Sequence, residues 1–116
     1  MSMSLYENDT LVSAQRIPIM RSVVIASGEV LEKGSVLGRI TATGKYVLSE
    51  SASADGSESP DVVLASAVDA STGDTAADVY IAGAFIDKAL KFGAGHTAES
   101  TWHGLRAKSI YIMRGV

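Results

Sequence analysis

The amino-acid sequence predicts a small, mainly β domain with one or two short helices, a fold of the α+β class. The β part rests on residues 26–48, where glycines interrupt short apolar runs at nearly regular intervals, and on β-branched runs elsewhere in the chain. The helical part rests on the last third of the chain, where apolar residues recur with helical spacing. A chain of 116 residues has room for one hydrophobic core, so we expect a single domain.

The first half of the chain predicts three strands and a hairpin. Residues 22–26 are a β-branched run, and residues 36–42 and 45–48 are the next two strands. Between those two, Gly44 and Lys45 are predicted to form the hairpin tip, because glycine adopts positive φ without a Cβ clash. On the same grounds, four glycines are predicted to be turn residues: Gly28, Gly34, Gly38 and Gly44.

The middle of the chain alternates loops and strands. Residues 49–60 contain five serines and an Asp-Gly pair, which predict a surface loop that adds little to the core. Residues 62–68 predict one strand buried on both faces, and residues 69–77 predict a turn region. Residues 78–82 predict a further strand, which Ala84, Phe85 and Ile86 would extend past Gly83.

The last third of the chain predicts the helices. Residues 87–92 would form one or two helical turns with Asp87 as the N-cap, and the glycines that follow would end them. Thr97 would cap a second helix over residues 98–108, in which Ala98, Trp102 and Leu105 share one apolar face. Residues 110–113 predict a final strand. Trp102 is predicted to be an anchor in the core or at an interface, because a large aromatic residue on an apolar helix face usually is.

The composition excludes several classes of protein. A net charge of −3 and an isoelectric point near 5.2 argue against a nucleic-acid-binding protein, which would carry a basic surface. The chain has no cysteine, which excludes a disulfide framework and a thiolate site and fits synthesis in a reducing cytoplasm. The first residues lack the basic and apolar regions of a signal peptide, and no apolar run approaches the roughly 20 residues of a membrane span, so we expect no membrane partner.

Two glycine-containing stretches imitate nucleotide-binding motifs. From Gly38 to Lys45 the chain resembles a P-loop, but one residue too many separates the glycines, and Tyr46 replaces the Ser or Thr that would hold Mg²⁺. Residues 93–98 match G-x-G-x-x-A before a helix, but the sequence ends before a βαβ unit and its acidic residue could follow. We therefore predict a solvated turn lysine and a linker between helices.

The candidate metal ligands and catalytic groups also lack the required spacing. Asp69, Asp74 and Asp78 do not follow the spacing of a calcium loop, and we expect them to serve turns and caps. His96 and His103 are seven residues apart rather than four, and no third zinc ligand is evident. The chain has no G-x-S-x-G nucleophile motif. The sequence therefore predicts no catalytic residue, no metal and no cofactor, and the chain is not expected to be an enzyme.

The N-terminal residues 1–16 are predicted to be separate from the domain formed by residues 17–116. They are mostly polar, with isolated apolar side chains, and Pro18 favours extended backbone at the entry to the domain. The residues alone favour a frayed terminus, which is the usual state of such segments. The alternative is an arm that becomes ordered on a partner by adding a strand to a sheet edge. The apolar residues concerned are Leu5, Tyr6, Leu11 and Val12.

Residues 28–37 leave one alternative function open. Their G-x-x-V-x-x-G-x-x-L rhythm is similar to that of biotinyl and lipoyl carrier domains, which display a modified lysine at a hairpin tip, where Lys45 is predicted to lie. The residues that flank Lys45 match neither carrier motif, and two short strands with a tight turn explain the rhythm equally well. The intact mass would distinguish the two readings, because a carrier would bear an adduct on Lys45.

Several short motifs follow one another in consistent order from about Ile17 to Ile112. They are Ser27-Gly28, Leu31, Gly34-Ser35-Val36-Leu37-Gly38, Thr41-Ala42-Thr43-Gly44-Lys45-Tyr46-Val47, Ala54-Asp55-Gly56-Ser57, Val68-Asp69-Ala70, Gly73-Asp74 and Phe92-Gly93-Ala94-Gly95-His96-Thr97. In these motifs the chain resembles the head decoration proteins of tailed bacteriophages, the family of the phage lambda capsid-stabilising protein.

This resemblance implies a structural role and a particular assembly. It implies a β-clip-like domain with an extended N-terminal arm, made in the host cytoplasm and assembled as a homotrimer on the outside of the phage head. The partner would be the major capsid protein, bound at local threefold sites of the expanded shell. The arm would contact the shell through Leu5, Tyr6, Leu11 and Val12, and Trp102 would pack in the domain or between protomers.

Overall fold

The computed structural model describes residues 18–114, which form eight strands, one 3-10 turn and one α-helix. This content confirms the mainly β fold with short helical elements. The 3-10 turn covers Asp87–Ala89, and the helix α1 covers Ala98–Ala107. The strands are β1 (Ile19–Ile25), β2 (Val30–Leu31), β3 (Val36–Arg39), β4 (Tyr46–Leu48), β5 (Pro60–Leu64), β6 (Val68–Asp69), β7 (Thr75–Ile86) and β8 (Ile110–Met113).

Five of the strands close into a small barrel. Their order is β1-β4-β3-β5-β7, and β7 pairs back with β1. The closing pair is antiparallel and runs from Ile25 opposite Thr75 to Ile19 opposite Ala82. β8 extends the sheet beyond the barrel, because it pairs in parallel with the last four residues of β7, from Gly83 to Ile86. β2 and β6 form a separate two-stranded sheet.

Two hydrophobic clusters share the strand β5. Leu64 and Val62 belong to the cluster inside the barrel, together with Ile25, Leu31, Leu37, Val68, Ala70 and Val79. Val63 points to the opposite face of the sheet and packs against Leu90, Leu105 and Ile110, where α1 covers the barrel. The predicted burial of this strand on both faces is therefore confirmed for residues 62–64.

Long-range pairing changes two predicted boundaries. The strand predicted over residues 62–68 is too long, because β5 ends at Leu64 and the chain bends before β6 begins at Val68. The turn region predicted over residues 69–77 is also too long, because β7 begins at Thr75. Residues 75–77 pair with Val23, Val24 and Ile25 of β1, so partners 50 to 54 positions away make them a strand. The predicted extension of this strand past Gly83 is confirmed.

The predicted hairpin and three of the four turn glycines are confirmed. β3 and β4 pair antiparallel, and Gly44 lies between them with a φ of +76°. Gly28 and Gly34 also have positive φ, at +100° and +89°. Gly38 is different, because it lies inside β3, and the prediction of a turn there is wrong. A side chain at Gly38 would collide with the backbone of Ser57, so this glycine permits a close approach of two segments.

The serine-rich segment of residues 49–60 contacts the core, contrary to the prediction of a loop with little part in it. Ser49 and Ser57 are buried, and the Ser49 hydroxyl donates a hydrogen bond of 2.7 Å to the Ser57 carbonyl oxygen. Gly93 packs so closely on Ser49, and Gly95 on Ser51, that neither glycine has room for a Cβ. Neighbouring glycines thus position this segment.

The helix α1 begins at the predicted cap. The Thr97 hydroxyl accepts a hydrogen bond from the Ser100 N–H, and the Ser100 hydroxyl accepts one from the Thr97 N–H, which forms a capping box. The helix buries Leu105 of the predicted apolar face together with Thr101, whereas Trp102 is 38% exposed. Asp87 is not an N-cap as predicted; Ile86 occupies that position, and Asp87 is the first residue of the 3-10 turn.

Candidate functional site

Large apolar side chains are exposed near the point where the described chain begins and ends. Ile19 and Met20 open β1, and each is 50% exposed. Ile86 and Met113 lie opposite each other at the ends of β7 and β8, and both are about half exposed. Pro18, the first described residue, approaches Gly83 closely. Exposed apolar groups gathered in one region are typical of a surface that binds another protein.

The outer edge of β1 offers unpaired backbone groups. The Ala26 N–H donates to the Tyr46 carbonyl oxygen, and β4 pairs with β1 at the single position Ile25. Because successive residues of a strand present their N–H and C=O groups to opposite edges, Met20, Ser22 and Val24 present theirs to this same outer edge. Within residues 18–114, no strand pairs with that edge over residues 19–24. We call it the β1 edge.

Trp102 covers the outer edge of β8. The carbonyl oxygen of Ser109 accepts from the Gly83 N–H of β7, so alternation directs the Ile112 carbonyl away from β7. The indole N–H of Trp102 donates to this carbonyl oxygen at 3.3 Å. The guanidinium of Arg106 lies 5.4 Å from the centre of the indole ring. The plane of the His103 ring is perpendicular to the plane of the same indole ring. Trp102 is therefore held in place while 38% of it remains exposed.

A groove of about 720 Å³ lies beside Trp102, between the start of α1 and the end of β8. We call it the Trp102 groove. It combines an aromatic ring, an aliphatic side chain and charged groups of both signs, a mixture that suits an extended polypeptide better than an apolar small molecule. Its lining includes Thr97, Glu99, Trp102, His103, Ile112 and Arg114.

Lys45 is engaged at the hairpin tip rather than displayed from it. Its ammonium group forms an ion pair with the Asp74 carboxylate, which also accepts a hydrogen bond from the Ser27 N–H. The hydrogen bond from Lys45, followed by the one from Ser27, lowers the pKa of Asp74 below its ordinary value. A carrier lysine must reach freely into solvent. This ion pair therefore favours the interpretation of Lys45 as a residue of an ordinary tight turn over that of a modified carrier lysine.

A partly buried polar cluster joins His96 to the serine-rich segment. His96 Nε2 lies 3.0 Å from the Glu58 carbonyl oxygen and 3.2 Å from the Ser49 hydroxyl. Because a carbonyl oxygen only accepts, Nε2 carries the proton that bonds to Glu58. The Ser49 hydroxyl donates its own proton to the Ser57 carbonyl oxygen. In this arrangement His96 cannot act as a base toward Ser49, and the cluster serves to connect two segments.

The acidic side chains act in turns and in a bridge between elements. The Asp69 carboxylate accepts from the hydroxyl and the N–H of Ser71, and these hydrogen bonds lower the pKa of Asp69. The Asp61 carboxylate accepts from the Tyr46 hydroxyl at 3.2 Å and from the Lys108 ammonium group at 2.9 Å. Burial, and then the charge of Asp61, raise the pKa of Tyr46. Residues 18–114 contain no group of three potential metal ligands.

The predicted arm residues Leu5, Tyr6, Leu11 and Val12 lie outside the described residues. Trp102 lies in the described part and is 38% exposed, and its role in packing or between protomers stays a prediction. The sequence reasoning missed the β1 edge, although only Arg21, which is not a turn residue, separates Ile19 and Met20 from the β-branched run. Among the described helices, none is long and apolar enough to cross a membrane.

The comparisons with known proteins give one result. The family model described as "Bacteriophage lambda head decoration protein D" matches residues 1–108. The search of curated proteins finds no match.

Proposed function

Because the chain belongs to the family of phage lambda head decoration protein D, it is a decoration protein of the phage capsid, and we propose how it acts there. It binds as a homotrimer to the outside of the expanded head at local threefold sites, and it stabilises the head against the pressure of the packaged DNA. The match over residues 1–108 carries this proposal, because it includes both the N-terminal arm and almost all of the domain.

A trimer on a threefold site gains affinity from simultaneous contacts. Once one protomer is bound, the other two are held at a high effective concentration near their own sites, so three weak contacts give a stable attachment. If the complete site exists only in the expanded lattice, binding shifts the shell toward that state. This mechanism requires neither catalysis nor a cofactor.

The arm is the proposed contact with the shell, through Leu5, Tyr6, Leu11 and Val12. The domain supports this assignment, because the chain enters it at Pro18, beside an exposed apolar region. Ile86 and Met113 extend that region at the far ends of β7 and β8. We propose that these two side chains face the shell next to the arm, and that Trp102 contacts a second protomer.

Co-sedimentation with undecorated heads tests the function directly. The full chain and a version that lacks residues 1–15 are each mixed with expanded and unexpanded heads of the same phage. We expect the full chain to sediment with expanded heads only and the truncated chain to remain in the supernatant. Sedimentation of both versions would keep the decoration role and assign the contact to the domain. Failure of the full chain to bind expanded heads would contradict the decoration role.

A further inference from the structure

We propose that the trimer forms by insertion of the β1 edge of one protomer into the Trp102 groove of the next. This inference rests on the proposed trimer and identifies the two surfaces that form it. Repeated three times around a threefold axis, the contact would cover every β1 edge and every Trp102 groove.

Threefold symmetry explains why two different surfaces are needed. A ring of three protomers cannot be built from one surface that pairs with itself, because such pairing generates a twofold axis and a dimer. Each protomer must instead present two different surfaces, one that contacts the protomer on one side and a complementary one that contacts the protomer on the other side. In the described part of the chain, the β1 edge and the outer edge of β8 are such a pair, because β1 and β8 flank β7 and their outer edges face away from each other.

The β1 edge has the properties of a strand that is covered in the assembled protein. Ile19, Met20 and Val24 are 43–50% exposed, and the strand carries neither an internal proline nor a lysine. An exposed apolar edge without such protection readily pairs with other chains, and natural proteins usually cover it. Arg21 is the single charged residue of β1, and it forms no ion pair with any residue of the described part of the chain.

The Trp102 groove offers the complementary chemistry. The exposed part of the Trp102 ring and the Ile112 side chain provide an apolar wall. Glu99 lines the same groove, is exposed, and forms no ion pair within residues 18–114. An inserted β1 strand would place apolar side chains against Trp102 and bring Arg21 to Glu99. This complementarity of charge and apolar surface favours a second copy of the chain over an unrelated partner.

Charge reversal tests the contact at two exposed side chains, Arg21 and Glu99. Because Glu99 lies in the first turn of α1, where the helix dipole favours an acid, thermal unfolding of each variant is measured as well. Light scattering coupled to size-exclusion chromatography measures the mass of full-length protein over a range of concentrations. The wild type is compared with Arg21→Glu, Glu99→Arg and the double variant. Lys33→Glu and Glu32→Arg are the matched controls, because they make the same charge changes in the turn between β2 and β3, outside both surfaces.

We expect each single variant to raise the concentration at which the trimer dissociates by about tenfold or more, because like charges then meet at three contacts. The double variant restores the trimer, and both controls match the wild type. Emission from Trp102, the single tryptophan of the chain, shifts to longer wavelength when the trimer dissociates, because its ring becomes more exposed to water.

Three results would overturn the inference. The first is a single variant that stays as trimeric as the wild type. The second is a double variant that remains dissociated while its thermal unfolding matches that of the wild type. The third is a wild-type protein that is monomeric at all concentrations, which would also contradict the proposed trimer. A trimer unaffected by the substitutions would leave the proposed function intact and require a different interface.

Discussion

The indole N–H of Trp102 donates a hydrogen bond to the carbonyl oxygen of Ile112, 3.3 Å away, across the gap between α1 and the outer edge of β8. The bond satisfies a backbone acceptor that would otherwise face solvent at the end of the sheet. It also orients the ring so that one part covers β8 while another part lines the groove. The same side chain therefore protects a strand edge and forms a binding surface.

The contribution of this bond can be measured with Trp102→Phe. The substitution keeps an aromatic ring but removes the N–H, so we expect the free energy of unfolding in urea to fall by about 0.5–1.5 kcal/mol, the usual net value of one hydrogen bond. Repeating the measurement over a range of protein concentrations separates this effect from dissociation of a trimer, because unfolding of a monomer does not depend on concentration. His103→Phe changes the neighbouring ring and should leave the Ile112 contact intact. An unchanged stability in Trp102→Phe would show that the bond contributes nothing.

Gly38→Ala should destabilise the protein through a steric clash. The added Cβ would overlap the Ser57 backbone, and neither β3 nor the buried serine segment can move without loss of packing. We expect a loss of about 1–3 kcal/mol in the free energy of unfolding, which is typical of overpacking. Gly73→Ala is the matched control, because a Cβ there meets nothing within 4 Å. Equal effects of the two substitutions would contradict the close approach.

Gly104→Ala should have the opposite effect. Gly104 lies inside α1, and a Cβ at this position meets nothing within 4 Å. Alanine costs less conformational entropy in a helix than glycine, so we expect the free energy of unfolding to rise by about 0.5–1 kcal/mol. Thermal or urea unfolding measures the change. A loss of stability would mean that an additional surface, such as a neighbouring protomer, already fills the space beside Gly104.

Thr97→Ala tests the helix cap. The substitution removes the oxygen that accepts from the Ser100 N–H, and we expect a loss of about 1 kcal/mol in the free energy of unfolding. Thr97→Ser keeps the hydroxyl and should retain most of the stability. If both variants lose the same amount, the methyl group of Thr97 rather than its hydroxyl is responsible.

The Lys45–Asp74 pair predicts a dependence of stability on acid. The pKa of Asp74 is lower in the folded protein than its ordinary value of 3.8. The contribution of this carboxylate to stability is therefore fully present above pH 3.8 and is lost as the pH falls through the lower pKa of the folded state. We expect the melting temperature of Asp74→Asn to fall less steeply than that of the wild type below about pH 4. Lys45→Met removes the larger cause of the shift and should show the same flattening. Parallel curves for all three proteins would exclude this contribution.

Local signals in the sequence determined several elements completely. Gly44 between two strand-forming runs predicted the hairpin, Thr97 before an apolar period predicted the start of α1, and residues 110–113 predicted β8. The hairpin and the start of α1 depend on residues within a few positions of one another, where backbone preference and hydrogen bonding act directly, whereas β8 also needs its distant partner β7. The motif order along the chain also indicated the family, which the family model confirmed.

Only the tertiary structure decided the features that depend on distant partners. Pairing with β1 made residues 75–77 a strand, and the approach of Ser57 required a glycine at position 38. The same holds for Trp102, which the helical period placed on one apolar face with Ala98 and Leu105. Leu105 is buried, but Thr101 is buried beside it while Trp102 remains 38% exposed, because packing against β5 and β8 sets the direction of α1 over the barrel. Sequence periodicity determines that a helix has an apolar side, whereas the surrounding elements determine which of its residues are buried.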